Sequence, residues 1–137
     1  MLTQPKPPKR ARKARKPLRK KARRKAKLHD ADALFSAYIR TRDGWACRAC
    51  GSPVMPQCAH IVSRRYRATR WTAENAVTLC KRDHMRWTHD PLGWEAWVEE
   101  RFPGRLAQLK VRARAGVDHT DFGELCEALR SALGSNT

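Results

Sequence analysis

Apolar residues recur at helical spacing near the start of what looks like the folded part of the chain. The stretch DADALFSAYIRTRDG places four of them on one face, namely Leu34, Phe35, Tyr38 and Ile39. This spacing predicts a first helix over about residues 31–42, with Asp30 or Asp32 as its N-cap. Gly44 follows as a terminator, because glycine readily adopts the left-handed conformation that ends many helices.

The middle of the chain alternates between short apolar runs and polar segments. VMPQCAHIV (54–62) and NAVTL (75–79) each predict a strand, and the basic segment between them, SRRYRATRWTAE, predicts a loop. CKRDHMRWTHD (80–90) predicts a helix of about two to three turns, which ends at Asp90–Pro91 because the residue before a proline disfavours helical geometry. So few apolar residues here indicate that something other than a core fixes residues 44–84.

Helical spacing returns after Pro91 and continues to about residue 134. Two apolar stripes separated by Pro103–Gly104 mark this region: Trp94, Trp97 and Val98 (or Phe102), then Leu106, Leu109 and Val111. A last helix has Asp118 or Thr120 near its start and Gly134 at its end, with an apolar face of Phe122, Leu125, Leu129 and Leu133. The fold class is therefore α+β, and residues 91–134 form a helical cap.

Charge separates the N-terminus from the rest. Of the 30 Lys and Arg residues, 14 lie within residues 1–27, which contain no acid, so most of the formal net charge of +17 belongs to this segment. With four prolines and little apolar surface, it predicts a disordered basic tail over residues 1–29. A polyanion such as DNA suits it, because neutralised phosphates release counterions. A solubility or targeting role is the alternative.

The same composition limits the cellular compartments in which the protein is expected. No apolar stretch follows the basic run, as a secretory signal would require, and no run reaches transmembrane length. An organellar transit peptide fits poorly, because serine is absent from the tail and proline is frequent. We expect a cytoplasmic protein, encoded by a bacterium or a phage, with no membrane partner and no small-molecule cofactor.

Five cysteines, an odd number, favour metal binding over disulfides in a reducing cytosol. Cys47 and Cys50 form a CxxC pair, and Cys80 is followed three residues later by Asp83. Two such pairs clamping one ion are a common way to build a structural zinc site. Asp83 is the favoured fourth ligand, with Cys58 and His84 as rivals. Cys126, in the apolar stripe of the last helix, is expected to be an inert core thiol.

The segment CAHIVSR…RW…ENAVTLCKRDH resembles the HNH endonucleases, and in particular phage-type members with a zinc knuckle. QCAHIVSR is also similar to NinG-like recombination proteins of phages. The resemblance covers about residues 45–98. It implies a small ββα-metal unit over about residues 45–90, within an HNH nuclease domain spanning residues 30–137, flanked by an N-terminal helix and the C-terminal helices.

The resemblance also implies roles for three residues. His60 would act as general base on a water, and His84 would bind one catalytic divalent cation, Mg²⁺ or Mn²⁺ or alternatively Zn²⁺. Asn75 would either brace the loop that positions His60 or bind the cation itself. Neutral imidazole suits the base because its pKa lies near 7. Metal-dependent hydrolysis of DNA phosphodiester bonds is the function that follows.

A dense set of arginines follows His60 in the sequence: Arg64, Arg65, Arg67 and Arg70. Guanidinium groups bind phosphate through paired hydrogen bonds, so these residues are candidates for holding the DNA backbone. A solvated loop is the alternative interpretation. Tyr66 and Trp71 are candidates for stacking on bases, although Trp71 is as well suited to packing beneath the loop.

One position departs from the family pattern. The residue before the catalytic histidine, often an Asp or His that binds the cation, is Ala59 here. Cys58 or His89 could supply the missing cation ligand instead. The third alternative is that the protein has lost its activity. The alternatives to a nuclease are therefore a non-catalytic, zinc-stabilised DNA-binding or recombination protein, or an RNA-binding protein. Cutting both strands would suit a homodimer, with the C-terminal helices as the interface.

Overall fold

The computed structural model describes residues 16–116 and 120–135, which form an α+β structure. Six α-helices and a two-stranded antiparallel sheet make up this part of the chain, with one 3₁₀ turn at Ala73–Asn75. None of its helices is both long and apolar enough to span a bilayer. In chain order the elements are α1 (Lys16–Arg42), β1 (Pro56–His60), α2 (Arg67–Arg70), β2 (Ala76–Cys80), α3 (Lys81–Thr88), α4 (Pro91–Arg101), α5 (Arg105–Ala115) and α6 (Phe122–Gly134).

The first helix is longer than the apolar spacing predicted. It ends at Arg42, as expected, but begins at Lys16, so residues 16–29 of the predicted disordered tail are helical, while residues 1–15 lie outside the described residues. The physical reason is the composition: Lys, Arg, Leu and Ala all have high helix propensity, and the helix contains no proline after Pro17. The predicted N-cap role of Asp30 or Asp32 is therefore wrong, because both residues lie inside the helix.

The two strands pair in a short antiparallel hairpin that separates two layers of core. Cys58 lies opposite Thr78, and His60 lies opposite Ala76. On one side, Cys58 packs with the buried face of α1 and with α6. On the other side, Ala59 packs beneath α3 in a cluster that includes Cys47 and Cys80. Because successive strand residues point to opposite faces, Cys58 and His60 share the α1 side.

An aromatic cluster covers the α3 side of the sheet. Trp87 of α3 lies 5.2 Å from Trp94 and 5.1 Å from Trp97 between ring centroids, and the α4 rings stack on each other at 5.4 Å. Phe102 packs edge-on against Trp97. The middle of the chain therefore has more core than its own sequence indicated, because α4 supplies the apolar surface that the short strands lack.

The last helix closes the α1 side. Leu129 of α6 is buried against Phe35 and Ile39 of α1, and Cys126 is buried in this helix, as predicted for a core thiol. The N-cap is Asp121, whose carboxylate accepts the Glu124 N–H at 3.1 Å, and Thr120 immediately precedes it, near the start of the helix as predicted. The other choice, Asp118, lies outside the described residues.

Candidate metal centre and histidine cleft

The CxxC segment forms a tight turn. The Cys47 N–H donates to the Ser52 carbonyl at 2.9 Å, and the Gly51 N–H donates back to the Cys47 carbonyl at 2.8 Å. Gly51 has φ +78°, a conformation that a side chain would strain. The Arg48 N–H also donates to the Thr78 carbonyl at 2.9 Å, which fixes the turn against β2. These backbone hydrogen bonds therefore place the two thiols near one end of the hairpin.

The second half of the centre comes from the junction of β2 and α3. Cys80 precedes the helix as its N-cap, and Asp83 lies in its first turn. One ligand atom from each of Cys47, Cys50, Cys80 and Asp83 lies within 4.8 Å of every other. Asp83 is only 2% exposed, although it is a carboxylate without a buried cationic partner. A buried acid among three thiols is the donor set expected around a metal ion.

The separations fit a tetrahedral zinc ion. With metal–sulfur bonds of ~2.3 Å, the edges of a tetrahedron are ~3.8 Å between sulfurs and ~3.5 Å between sulfur and oxygen. The Cys50 and Cys80 sulfurs lie 3.7 Å apart, and the Cys47 sulfur lies 3.3 Å from Asp83 Oδ2. The residues therefore fit a Cys₃Asp site that would hold zinc between the knuckle and α3.

Neither rival for the fourth position joins this cluster. Burial raises the pKa of the Cys58 thiol to about 11, so it stays protonated at neutral pH, and it lines a separate cleft. The His84 imidazole is hydrogen-bonded to Gln57 instead. Among the residues that the structure describes, Cys47, Cys50, Cys80 and Asp83 are the one such group.

His60 and His84 line the same cleft, of about 410 Å³, together with Asp32, Cys58 and Arg64. His60 is held from two sides: Phe35 packs against its ring at 5.7 Å, and Nε2 lies 2.9 Å from the Arg70 carbonyl oxygen. Since a carbonyl can only accept, Nε2 carries the proton and Nδ1 keeps its lone pair. Burial lowers the pKa of His60, despite the opposing effect of the Arg70 carbonyl, so the ring is neutral at pH 7.

His84 is oriented in a complementary way. Its Nδ1 lies 2.7 Å from Gln57 Oε1, so Nδ1 donates and Nε2 keeps its lone pair. A hydrogen bond through one ring nitrogen is the usual way in which proteins orient a histidine that binds metal through the other. Burial also lowers the pKa of His84, which favours the neutral form that metal binding requires.

Asn75 is fully buried and its side chain is committed to backbone groups. Its Oδ1 accepts the Val62 N–H at 2.7 Å, and its Nδ2 donates to the carbonyls of Val62 and Thr69, both at 3.0 Å. Of the two roles left open by the sequence, this geometry favours bracing: Asn75 closes the loop that begins just after His60.

Neither of the two candidate replacements for the missing acid at Ala59 offers a cation ligand in the cleft, and the carboxylate that does line it, Asp32, is paired with Arg70. Ala59 itself is 2% exposed and faces the aromatic side of the sheet. Cys58 lines the cleft but keeps its proton, for the reason given above. His89, at the C-terminal end of α3, is exposed and is not among the residues lining the cleft.

The four arginines of the basic loop fall into different environments. Arg64 lines the cleft, whereas Arg65 lies over the Tyr66 ring and Arg67 over the rings of Trp71 and Phe122. Arg70 is paired with Asp32. Arg64 is thus the arginine best placed to meet a phosphate in the cleft, and Arg70 is occupied by a structural contact.

Sequence reasoning missed the cleft role of Asp32. Its carboxylate accepts from Arg70 Nε at 2.9 Å and from Trp71 Nε1 at 2.9 Å, although 38 positions separate Asp32 from Arg70 in the chain. The one available signal was an acid beside the buried positions of α1, next to Ala31 and one turn before Phe35.

Comparison of the chain with protein-family models, with curated proteins and with solved structures finds no match.

Proposed function

We propose that this chain is a metal-dependent DNA endonuclease whose β1, β2 and α3 form a ββα-metal unit of the HNH kind. The observation that carries the proposal is the shared cleft of His60 and His84. Each ring is fixed by a hydrogen bond through one nitrogen, and each keeps a lone pair on the other. One neutral base and one metal-type histidine in a cleft with an arginine are the parts that phosphodiester hydrolysis needs.

In this mechanism His60 Nδ1 accepts a proton from the attacking water, while the Arg70 carbonyl holds the ring through Nε2. Arg64 binds a non-bridging phosphate oxygen at the cleft. His84 would hold the divalent cation through Nε2, and that cation, when bound, stabilises charge on the phosphate and on the leaving oxygen. Asn75 keeps the loop closed, so that the base and Arg64 stay in the same cleft.

The Cys₃Asp centre has a structural part in this proposal. Asp83 and His84 are consecutive residues in the first turn of α3, and Gln57, which orients His84, lies on β1 a few residues beyond the knuckle. A zinc ion bound to Asp83 would therefore fix the start of the helix that carries His84. This arrangement separates a structural metal from the catalytic cation.

Supercoiled plasmid DNA provides the test. We expect the purified, zinc-containing protein to nick plasmid when Mg²⁺ or Mn²⁺ is added, and to leave it intact after dialysis without them. Zinc content is measured on both samples, so that loss of the structural metal is not mistaken for loss of the catalytic one. His84→Ala should retain zinc and lose nicking. Intact plasmid under every divalent metal would overturn the nuclease proposal.

A second function is favoured by one observation, namely the burial of Ala59 where the family pattern places a cation ligand. The protein would then be a zinc-stabilised DNA-binding protein without catalysis. It would bind duplex DNA tightly and leave the same plasmid uncut. Competition between DNA and RNA of equal length at fixed salt separates both proposals from an RNA-binding role.

The basic N-terminus gives a further prediction for either function. Deletion of residues 1–27 removes 14 cationic side chains, so DNA affinity should fall and its dependence on salt should flatten. The melting temperature should hardly change, because the described core residues of α1, Ala31, Phe35 and Ile39, all lie beyond the deletion. Fluorescence anisotropy at several salt concentrations and thermal melting measure the two effects. A large loss of thermal stability would show that this segment supports the fold.

A further inference from the structure

Asp32 connects α1 to the segment that orients His60. It lies two turns before Ile39 on α1, and its side chain is 23% exposed. Its carboxylate accepts three hydrogen bonds, from Arg70 Nε at 2.9 Å, from Arg70 Nη2, and from Trp71 Nε1 at 2.9 Å. Two consecutive side chains of the basic loop are therefore tied to one acid on a helix remote in sequence.

The same segment presents the carbonyl that meets the imidazole. The Arg70 carbonyl oxygen lies 2.9 Å from His60 Nε2. Asn75 holds the preceding residue, because its Nδ2 donates to the Thr69 carbonyl. Asp32 holds Arg70 itself and Trp71. The position of the carbonyl thus depends on two anchors, one from within the loop and one from outside it.

Electrostatics keep this anchor ionised. Burial alone would raise the pKa of Asp32, but the hydrogen bond and charge of Arg70, with the Trp71 N–H, lower it overall. The paired guanidinium and carboxylate form a charge-assisted, two-point contact, which fixes orientation as well as distance. Trp71 also packs edge-on against Phe122 of α6 at 5.3 Å, so the segment is held from a second direction.

We infer that Asp32 is a positioning residue for His60: through Arg70 and Trp71 it places the Arg70 carbonyl that keeps the proton on Nε2 and leaves Nδ1 facing the reaction. The catalytic part of this inference rests on the proposed nuclease function. The geometric part, which concerns the tautomer of His60, does not. Asp32 makes no contact with the DNA in this scheme and acts only through the loop.

The test is ¹⁵N NMR of the His60 ring in the zinc-containing protein, at a pH where the ring is neutral. The wild type should show the Nε2–H tautomer. Asp32→Ala should give a mixture of tautomers and should lower the nicking rate on the order of 10- to 100-fold, the scale of a misplaced catalytic group. Asp32→Asn retains one acceptor oxygen and should lie between the two, and it serves if Asp32→Ala does not fold.

Asp43→Asn is the matched control. Asp43 also accepts hydrogen bonds from an arginine, Arg42 Nε at 2.8 Å, and from the Thr78 N–H at 2.8 Å. Its partner Arg42 donates to the Ala73 and Ala76 carbonyls and not to Arg70 or Trp71, the two residues that Asp32 holds. This variant should lose stability and keep the Nε2–H tautomer. An unchanged tautomer in a folded Asp32 variant would overturn the inference. A changed tautomer in a protein whose wild type never cuts DNA would sustain the positioning role and overturn the nuclease proposal instead.

Discussion

Replacing Cys80 with alanine should cost the protein both its zinc and most of its stability. Cys80 is buried, its sulfur lies 3.7 Å from Cys50, and α3 begins at the next residue. A structural zinc site contributes on the order of 10 kcal/mol, which is comparable with the roughly 5–15 kcal/mol that stabilises a whole domain. We expect one equivalent of zinc in the wild type, none in the variant, and loss of a cooperative thermal transition.

Two other cysteines provide matched controls for this experiment. Cys58→Ala and Cys126→Ala each remove a thiol outside the cluster, so both variants should retain one zinc per chain. A modest loss of stability is expected at Cys126, because it is buried in α6. Full zinc content in Cys80→Ala, or a melting transition unmoved by a strong chelator, would contradict the metal centre.

The identity of the fourth ligand can be tested by spectroscopy, independently of the Cys80 variant. Cobalt substituted for zinc reports the number of thiolates through the intensity of its sulfur-to-metal charge-transfer absorption. The absorption of the cobalt-substituted wild type should have the intensity of three thiolate ligands. That of Asp83→Cys should have the intensity of four, and this variant should bind the metal more tightly. Asp83→Ala should bind weakly, because a position of the tetrahedron is left to water. A wild-type spectrum with four thiolates would show that Asp83 is not the ligand.

His60→Ala should abolish most nicking while leaving the fold intact. A positioned general base contributes about 10²- to 10⁴-fold to a rate, and among the residues that line the cleft His60 is the neutral histidine whose Nδ1 has a free lone pair. The substitution removes no zinc ligand, so zinc content and melting should stay close to wild type. The measurement is the initial rate of conversion of supercoiled plasmid to open circles under Mn²⁺.

The controls for this variant are two histidines elsewhere. His29→Ala changes an exposed side chain of α1 and should cut DNA at the wild-type rate. His89→Ala tests the candidate cation ligand that lies outside the cleft, and it too should remain active. Nicking by His60→Ala at the wild-type rate would show that another group deprotonates the water.

Local patterns predicted most of the elements, and long-range contacts account for what they missed. The strands, α3 and the start of α4 follow from runs of a few residues, and the four residues of the candidate metal centre follow from two CxxC-like spacings. The pairing of Asp32 with Arg70 and Trp71 could not be predicted from a local pattern, because nothing within a few residues of Asp32 distinguishes it from an N-cap. The core beneath α3 was also underestimated, since its indoles come from Trp94 and Trp97, which are contiguous with it only after folding.

The burial of Asp83 could be predicted from the sequence only by predicting that this residue binds a metal ion. A carboxylate at 2% exposure contradicts the usual preference of acids for the surface, and the sequence gives no reason for it apart from the spacing to Cys80. The short helix α2 within the basic loop was not predicted, because four residues are too few for a periodic signal.

The indole cluster gives the protein a built-in optical reporter. Trp87 is one helical turn beyond Asp83, and its ring lies within 5.2 Å of those of Trp94 and Trp97, close enough for the three to exchange excitation and shift one another's emission. We expect that release of a zinc ion bound at Asp83 would loosen the first turn of α3, separate these rings and expose them to water. Ultraviolet fluorescence of the unlabelled chain would therefore follow zinc occupancy in real time.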